Sequence, residues 1–294
     1  MIDMTEYRAS RTAVLVCQGR AVADGRLAVG RFADPIAIEL LDAAERTPVE
    51  RVRNGERAHG FGESMELELL ASTADVMTTR TVFIDDAIRE AANPQLVILG
   101  AGLDARAWRM PELARTEVFE VDQPASQQDK RARLGELKPE AATVRFVAVD
   151  FARDSLSDLL EAAGHDANRP TTWVWEGVVP YLTPEQVAAT VDLVARRCAP
   201  GSRFVITYST PSRTASFGRK ALQAMLTLAR RGNPLQHEPQ RSTWRPEQWR
   251  DLLGDRGFVI TDDQDLLSIA ELLGMTIRRR EFLALGHCVV ADRN

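Results

Sequence analysis

The residues best placed to do chemistry stand at the ends of short apolar runs. In QLVILGAGLDARAWR, the run 95–99 leads straight into Gly100-Ala101-Gly102 and then a helical pattern. Glycine is needed where a backbone turns tightly and a ligand approaches with no Cβ in the way. Asp122 closes the next run, EVFEVD, a position from which an acid can hydrogen-bond a ribose diol. Asp150 follows VRFVAV, Glu176 follows TTWVW, and Asp104 lies just past Gly102. In a parallel α/β sheet such strand ends line one crevice, so these residues together predict a nucleotide-type ligand.

Two ligands fit this pattern. Gly100, Gly102 and Ala105 satisfy the dinucleotide motif GxGxxG/A, with Asp122 about 20 residues further on, as in an NAD(P)-dependent oxidoreductase. Electrostatics favours a methyl donor instead. A pyrophosphate at the loop would make nearby acids costly. S-adenosylmethionine (SAM) carries a sulfonium and an ammonium but no phosphate, which suits a crevice lined by Asp104, Asp122, Asp150 and Glu176. Arg106 and Arg109 pull the other way, since either could serve a phosphate. The plain structural readings are that Asp104 caps or starts a helix and that Asp150 N-caps the helix near Arg153.

The elements that must hold these residues read as βαβ units from about residue 91 onward. Seven strands are expected: QLVIL (95–99), EVFEV (117–121), VRFVAV (144–149), TTWVW (171–175), RFVITY (203–208), GFVIT (257–261) and FLALGHCVVA (282–291). Helices are expected over 184–198, with Thr183 as N-cap, and over 245–255, with Pro246 at its start. The fold class is therefore α/β, a Rossmann-like seven-stranded sheet with helices on both faces. Residues 1–90 carry no strand run and read as a helical cap, with helices over 12–23, 35–45, 66–73 and 81–92. The core would be 91–294, with a lid-like insertion at about 209–245 that includes a helix over 216–230.

Composition narrows the class. A 45% hydrophobic, 27% charged chain of 294 residues can bury a large core and is not a disordered chain. No apolar run approaches the roughly 20 residues of a membrane span, and the N-terminus has no hydrophobic signal core, so the cytoplasm is expected. A net charge of -5 gives no support to nucleic-acid binding. Three cysteines without CxxC spacing argue against disulfides or zinc, and the four histidines show no ligand spacing, so no metal is expected.

The ordered motifs LGAGLDARAWR, VFEVDQP, VAVDF and WEGVVPYL resemble the leucine carboxyl methyltransferase family, in particular its bacterial branch of SAM-dependent, polyketide-type O-methyltransferases. RFADPIA (31–37) and TRTVFIDDAI (79–88) resemble that branch too, and the likeness spans roughly residues 10–210. It implies a class I methyltransferase with SAM as cofactor and S-adenosylhomocysteine (SAH) as product. It also implies roles. Arg80 would pair with the SAM carboxylate, Gly100 and Gly102 would admit its amino acid part, and Asp122 would hold the ribose hydroxyls. Asp150 and Phe151, where the family commonly has leucine, would flank the adenine, and Glu176 would face the charged end of the cofactor. A basic residue near the N-terminus is also implied, for which Arg8, Arg11 and Arg20 compete.

Methyl transfer is an in-line displacement that needs positioning and desolvation more than acid–base help. A carboxylate acceptor needs no base, whereas a hydroxyl does. Tyr181, Tyr208 and Arg213 follow the fourth and fifth strands and are the candidates for touching the acceptor. The expectation is O-methylation of a small carboxylic or hydroxylated metabolite, with residues 1–90 and 209–245 forming its pocket. A non-catalytic SAM-binding protein is the remaining alternative.

Overall fold

The structure is a computed structural model that describes residues 10–150, 153–211 and 240–294. Phe151, Arg213 and the helix expected over 216–230 lie outside the described residues.

A seven-stranded sheet carries the fold: β1 (Gln95–Leu99), β2 (Glu117–Asp122), β3 (Thr143–Ala148), β4 (Thr171–Trp175), β5 (Arg203–Ser209), β6 (Phe258–Asp265) and β7 (Gly286–Arg293). Their order is β3-β2-β1-β4-β5-β7-β6, all parallel except β7, which runs antiparallel between β5 and β6. β1 and β4 are buried along their whole length, as central strands covered on both faces must be. The strand order reverses between β2-β1 and β1-β4, so a crevice opens beyond the carboxyl ends of β1 and β4.

The expected strands appear within a residue or two, except that β6 runs on four residues past its expected end at 261 and that the C-terminal run differs. FLALGHCVVA divides there: Arg280–Leu283 is a short helix and only 286–293 is strand. Leu283 is buried against Leu266 and Ile269, so its apolarity belongs to a helical contact. Thr183 caps Pro184–Arg196 through a capping box with Gln186, as its sequence predicts.

The N-terminal segment corrects three expectations. α1 (Arg11–Ala23) is capped by Ser10. The helix expected over 35–45 is a run of turns, and α2 (Ala43–Asn54) starts after Asp42, which forms a capping box with Glu45. The two helices expected over 66–73 and 81–92 are one, α3 (Phe61–Ala91). Two of the polar residues that looked like a break, Asp75 and Thr78, are buried and hydrogen-bonded. Thr78 donates to the Ala74 carbonyl (2.8 Å), and Asp75 accepts from the Arg278 guanidinium (3.1 Å). Residues of α1 and α3 share one buried cluster with Leu96, Ile98, Val118, Val174, Val205 and Val290, so they line one face of the sheet. The opposite face buries Trp173, Trp175, Phe204 and Tyr208 with Val187, Val191, Trp249 and Leu253.

A buried histidine gives this core a pH dependence. His165 accepts at Nδ1 from Arg197 Nε (3.3 Å) and faces Thr171 Oγ1 through Nε2 (3.1 Å), an arrangement that needs the neutral ring. Burial, and then the Arg197 charge, push its pKa down to about 4. The unfolded chain takes up this proton near pH 6.5 and the folded one only near pH 4. Its contribution, about 3 kcal/mol, is therefore complete above pH 6.5 and lost as pH falls toward 4. His165→Gln should flatten that limb of stability against pH in urea titrations; an unchanged slope would assign it to other groups.

Candidate cofactor site at the carboxyl ends of the strands

The loop after β1 is shaped by two glycines in the left-handed region, Gly100 at φ +70° and Gly102 at φ +47°. The backbone amides of Gly100 and Ala101 both donate to the Val121 carbonyl, at 2.8 and 3.0 Å, which folds the loop over the end of β2. A Cβ on Gly100 would lie 2.5 Å from Val178 Cγ2. Gly100→Ala is thus expected to destabilise the fold by about 2–3 kcal/mol, of which the left-handed backbone contributes about 1–2 and overpacking the rest. A denaturant midpoint equal to the parent's would show that the loop has another conformation available.

Asp122 closes β2 beneath this loop. Its carboxylate accepts from the Gly102 amide (2.6 Å) and the Gln123 amide (2.7 Å), so acid and glycine loop hold each other in place. Burial raises its pKa, and the two amides oppose that shift.

Arg80 and Glu176 meet from opposite sides of the crevice. Arg80 projects from α3 and donates from Nε to Glu176 Oε1 (2.7 Å), just past the end of β4. Arg106 donates to the other oxygen, Oε2, at 2.7 Å. Burial alone would raise the Glu176 pKa, but Arg106, Arg80 and Arg20 hold the carboxyl far below its usual range. It is ionised at every working pH.

This pair is the open end of a larger buried cluster that sequence reasoning missed. Arg106 also donates to Asp85 (2.8 Å) and pairs with Asp104. Arg109 forks onto Asp85 at 2.7 and 3.0 Å, and its Nε stands 3.5 Å from Asp34. Asp34 accepts from Arg20 Nε (2.8 Å), and Arg20 Nη2 donates to the Leu103 carbonyl in the glycine loop (2.6 Å). Four arginines (20, 80, 106, 109) face four acids (34, 85, 104, 176), so the cluster is formally neutral.

Two expectations change as a result. The crevice is not lined by bare acids. Asp104 and Glu176 are neutralised by guanidiniums, and Asp104 also takes the Arg106 amide (2.7 Å) one residue ahead of Ala105, the N-cap of the short helix Arg106–Arg109. Nor do Arg106 and Arg109 await a phosphate, because both are held by carboxylates. Among the three N-terminal arginines, Arg20 is the buried one tied to the glycine loop; Arg11 is exposed and Arg8 lies outside the described residues. The signal for Arg20 lay in its long-range partners, which spacing does not reveal.

The remaining expected residues divide. Asp150 is half-buried, accepts the Arg153 amide at its backbone carbonyl (2.9 Å) and has the Arg153 Nε 3.6 Å from its carboxylate. Tyr181 ends the short 3-10 turn Val179–Tyr181 beyond Glu176. Tyr208 is buried, and its hydroxyl donates to Asp263 at about the same distance from either oxygen, 3.0 and 2.9 Å. Among the described residues, no three His, Cys, Asp or Glu side chains converge as metal ligands, and no helix is long and apolar enough to cross a membrane.

The sheet order with an antiparallel β7, the glycine loop after β1 and the acid at the end of β2 define a class I methyltransferase fold. Two solved structures have this fold over nearly their whole length. A DUF574 family protein from Streptomyces avermitilis MA-4680 has a TM-score of 0.57 at 14% identity, covering 98% of this chain and 99% of that one. A "putative methyltransferase" from Thermobifida fusca YX has a TM-score of 0.52 at 18% identity, covering 95% and 94%. The leucine carboxyl methyltransferase model matches residues 13–195, and the chain belongs to that family. A "Putative S-adenosyl-L-methionine-dependent methyltransferase" of Mycolicibacterium gilvum (strain PYR-GCK) is 40% identical over 201 residues, covering 67% of this chain but only 65% of that relative. Another so named, from Mycobacterium sp. (strain KMS), is 35% identical over 281 residues, covering 90% and 88%. The protein is a SAM-dependent methyltransferase, and nothing supports the oxidoreductase alternative.

Proposed function

We propose that this methyltransferase acts on an oxygen of a small-molecule acceptor, and that SAM sits in the crevice beyond β1, β2 and β4. The observation that carries the cofactor placement is the Arg80–Glu176 pair beside the glycine loop. A cation and an anion side by side, both poorly solvated, match the carboxylate and ammonium of an amino acid. The Arg80 fork would bind the carboxylate by parallel hydrogen bonds, and Glu176 would take the ammonium. Gly100 and Gly102 would let backbone approach that end. Asp122 would accept the ribose hydroxyls on the lone pairs that its two amide partners leave free. Asp150, and Phe151 beside it, would flank the adenine.

Bound SAM supplies a methyl carbon activated by its cationic sulfur. The chain's own contribution is to orient the acceptor and keep water out. Two observations support an acceptor pocket beside the N-terminal helices and the described ends of the 209–245 stretch, whose residues 212–239 lie outside the described residues. A Cβ on Gly102 would meet Ala13 of α1 at 3.4 Å, and the Arg241 amide donates to the Pro180 carbonyl (2.7 Å) at the rim beyond Glu176. The carboxyl or hydroxyl character of the acceptor is carried over from the family resemblance.

Asp122→Ala should weaken SAM binding by about 1–3 kcal/mol, as for a lost hydrogen bond to a charged group. Calorimetry on the folded variant checks this, and unchanged affinity would remove Asp122 from the site. The acceptor reading is tested by incubating the protein with methyl-labelled SAM and a panel of phenols, alcohols, carboxylic acids, amines and thiols. Label recovered as methyl ethers or esters is the expected result; label confined to nitrogen or sulfur would overturn it.

A further inference from the structure

The loop that carries Glu176 is held at both ends by side chains from other segments. At its far end the Val179 carbonyl accepts from Ser242 Oγ (3.0 Å), and the Pro180 carbonyl accepts from the Arg241 amide (2.7 Å). At its near end the backbone pairing of β4 with β5 stops at Trp175 and Ile206. The next rung is made by a side chain: the Gly177 amide donates to Thr207 Oγ1 at 2.8 Å. Gly177 stands in the left-handed region, at φ +71°, where the chain leaves the line of β4.

Thr207 acts on the face of the sheet where Arg80 lies. Val205, two residues earlier on β5, packs in the buried cluster shared with α1 and α3. Side chains alternate along a strand, so Thr207 points the same way as Val205. Its hydroxyl is neutral at any pH at which the protein folds, and it takes the amide on a lone pair. With Thr207 only 5% exposed, the bond is shielded from competing water.

Gly177 in turn backs the Arg80 guanidinium, since a Cβ on it would meet Nη1 and Nη2 at 3.6 Å each. Arg80 is held further by Glu176 at Nε and by the Met77 thioether at Nη2 (3.2 Å). Two kinds of restraint therefore act on Glu176. Arg80 and Arg106 hold its carboxylate, whereas the Trp175–Ile206 rung and Thr207 hold its backbone from either side. With the Thr207 bond gone, the guanidiniums would keep the carboxylate but its place at the edge of the crevice would no longer be fixed. A site that binds by opposed charges loses affinity when its support lets it drift by an ångström or so.

We propose that Thr207 is a positioning residue for the amino acid end of SAM. Its hydroxyl holds Gly177, and through it the Glu176 carboxylate and the back of the Arg80 fork, in the geometry that admits an ammonium and a carboxylate. This rests on the cofactor placement proposed above.

Full-length parent, Thr207→Val and Thr207→Ser are titrated calorimetrically with SAH and with methylthioadenosine, which lacks the amino acid end. Valine keeps the shape and removes the hydroxyl; serine keeps the hydroxyl. Losing one net hydrogen bond lowers the population of the aligned loop, and apparent affinity falls by the same factor. SAH should therefore bind Thr207→Val about 10-fold more weakly, with methylthioadenosine unchanged and Thr207→Ser close to the parent for both. With glycine labelled by nitrogen-15, the Gly177 amide should resist hydrogen exchange in the parent and in Thr207→Ser and lose that protection in Thr207→Val. Equal weakening of both ligands, or parental SAH affinity in Thr207→Val, would overturn the proposal. So would a freely exchanging Gly177 amide in the parent, a measurement that stands even where the valine variant fails to fold. Equal affinity of the parent for SAH and methylthioadenosine would instead sink the cofactor placement itself, so the two failures read out separately.

Discussion

Replacing Arg106 by methionine is expected to lower the unfolding free energy by about 3–5 kcal/mol, a large share of a typical domain stability of about 5–15 kcal/mol. The side chain is 3% exposed and serves three carboxylates, those of Asp85, Asp104 and Glu176. Removing it leaves a buried cluster with a formal surplus of one negative charge. Arg109 still serves Asp85 and Arg80 still serves Glu176, but Asp104 keeps only a backbone amide. The methionine matches the arginine stem in bulk, so the loss is one of charge pairing, not of packing. Adding Asp104→Asn should recover part of the stability, because it restores the neutral count. Urea unfolding of the parent, the single and the double variant measures this. A single variant within about 1 kcal/mol of the parent would mean that water reaches the cluster and screens it.

Arg80→Met should act on binding more than on folding. Arg80 contacts only Glu176 among the acids, and Glu176 retains Arg106, so the stability cost should stay near 1–2 kcal/mol. The SAM carboxylate would have no such replacement partner. Loss of a forked, charge-assisted contact should weaken SAM and SAH by about 2–3 kcal/mol, or ~30- to 150-fold. Methylthioadenosine, which lacks the amino acid end, should bind parent and variant alike. Calorimetry with the three ligands separates the cases: equal weakening of all three would mean that the variant has lost the pocket as a whole.

Much of the sheet is legible from local pattern, because buried parallel strands are short, β-branched and bounded by glycine, proline or acids. QLVIL and TTWVW match their strands residue for residue. The misreadings have a common cause. FLAL and the polar middle of α3 are locally ambiguous, and tertiary contacts decide them: Leu283 against Leu266, and Asp75 against Arg278. The site divides in the same way. Gly100, Gly102 and Asp122 announce themselves through a loop and a strand end that are each contiguous in sequence. Arg20 with Asp34, and Arg106 with Asp85 and Glu176, do not. Their partners lie 14, 21 and 70 residues apart, and in an arginine-rich chain no spacing marks which guanidiniums are buried. The contact of Tyr208 with Asp263 is harder still, since it forms only where β7 enters between β5 and β6, two strands that precede it in the chain.

The central claim is that the neutral cluster of arginines and acids at the glycine loop holds the amino acid end of SAM. Calorimetric titration of the intact protein with SAM, SAH, methylthioadenosine and NADH tests it most directly. The account predicts clear binding of SAM and SAH, binding of methylthioadenosine weaker by ~30-fold or more, and none of NADH. Equal affinity for SAH and methylthioadenosine would contradict it, because the cluster would then be a structural core that the cofactor never touches.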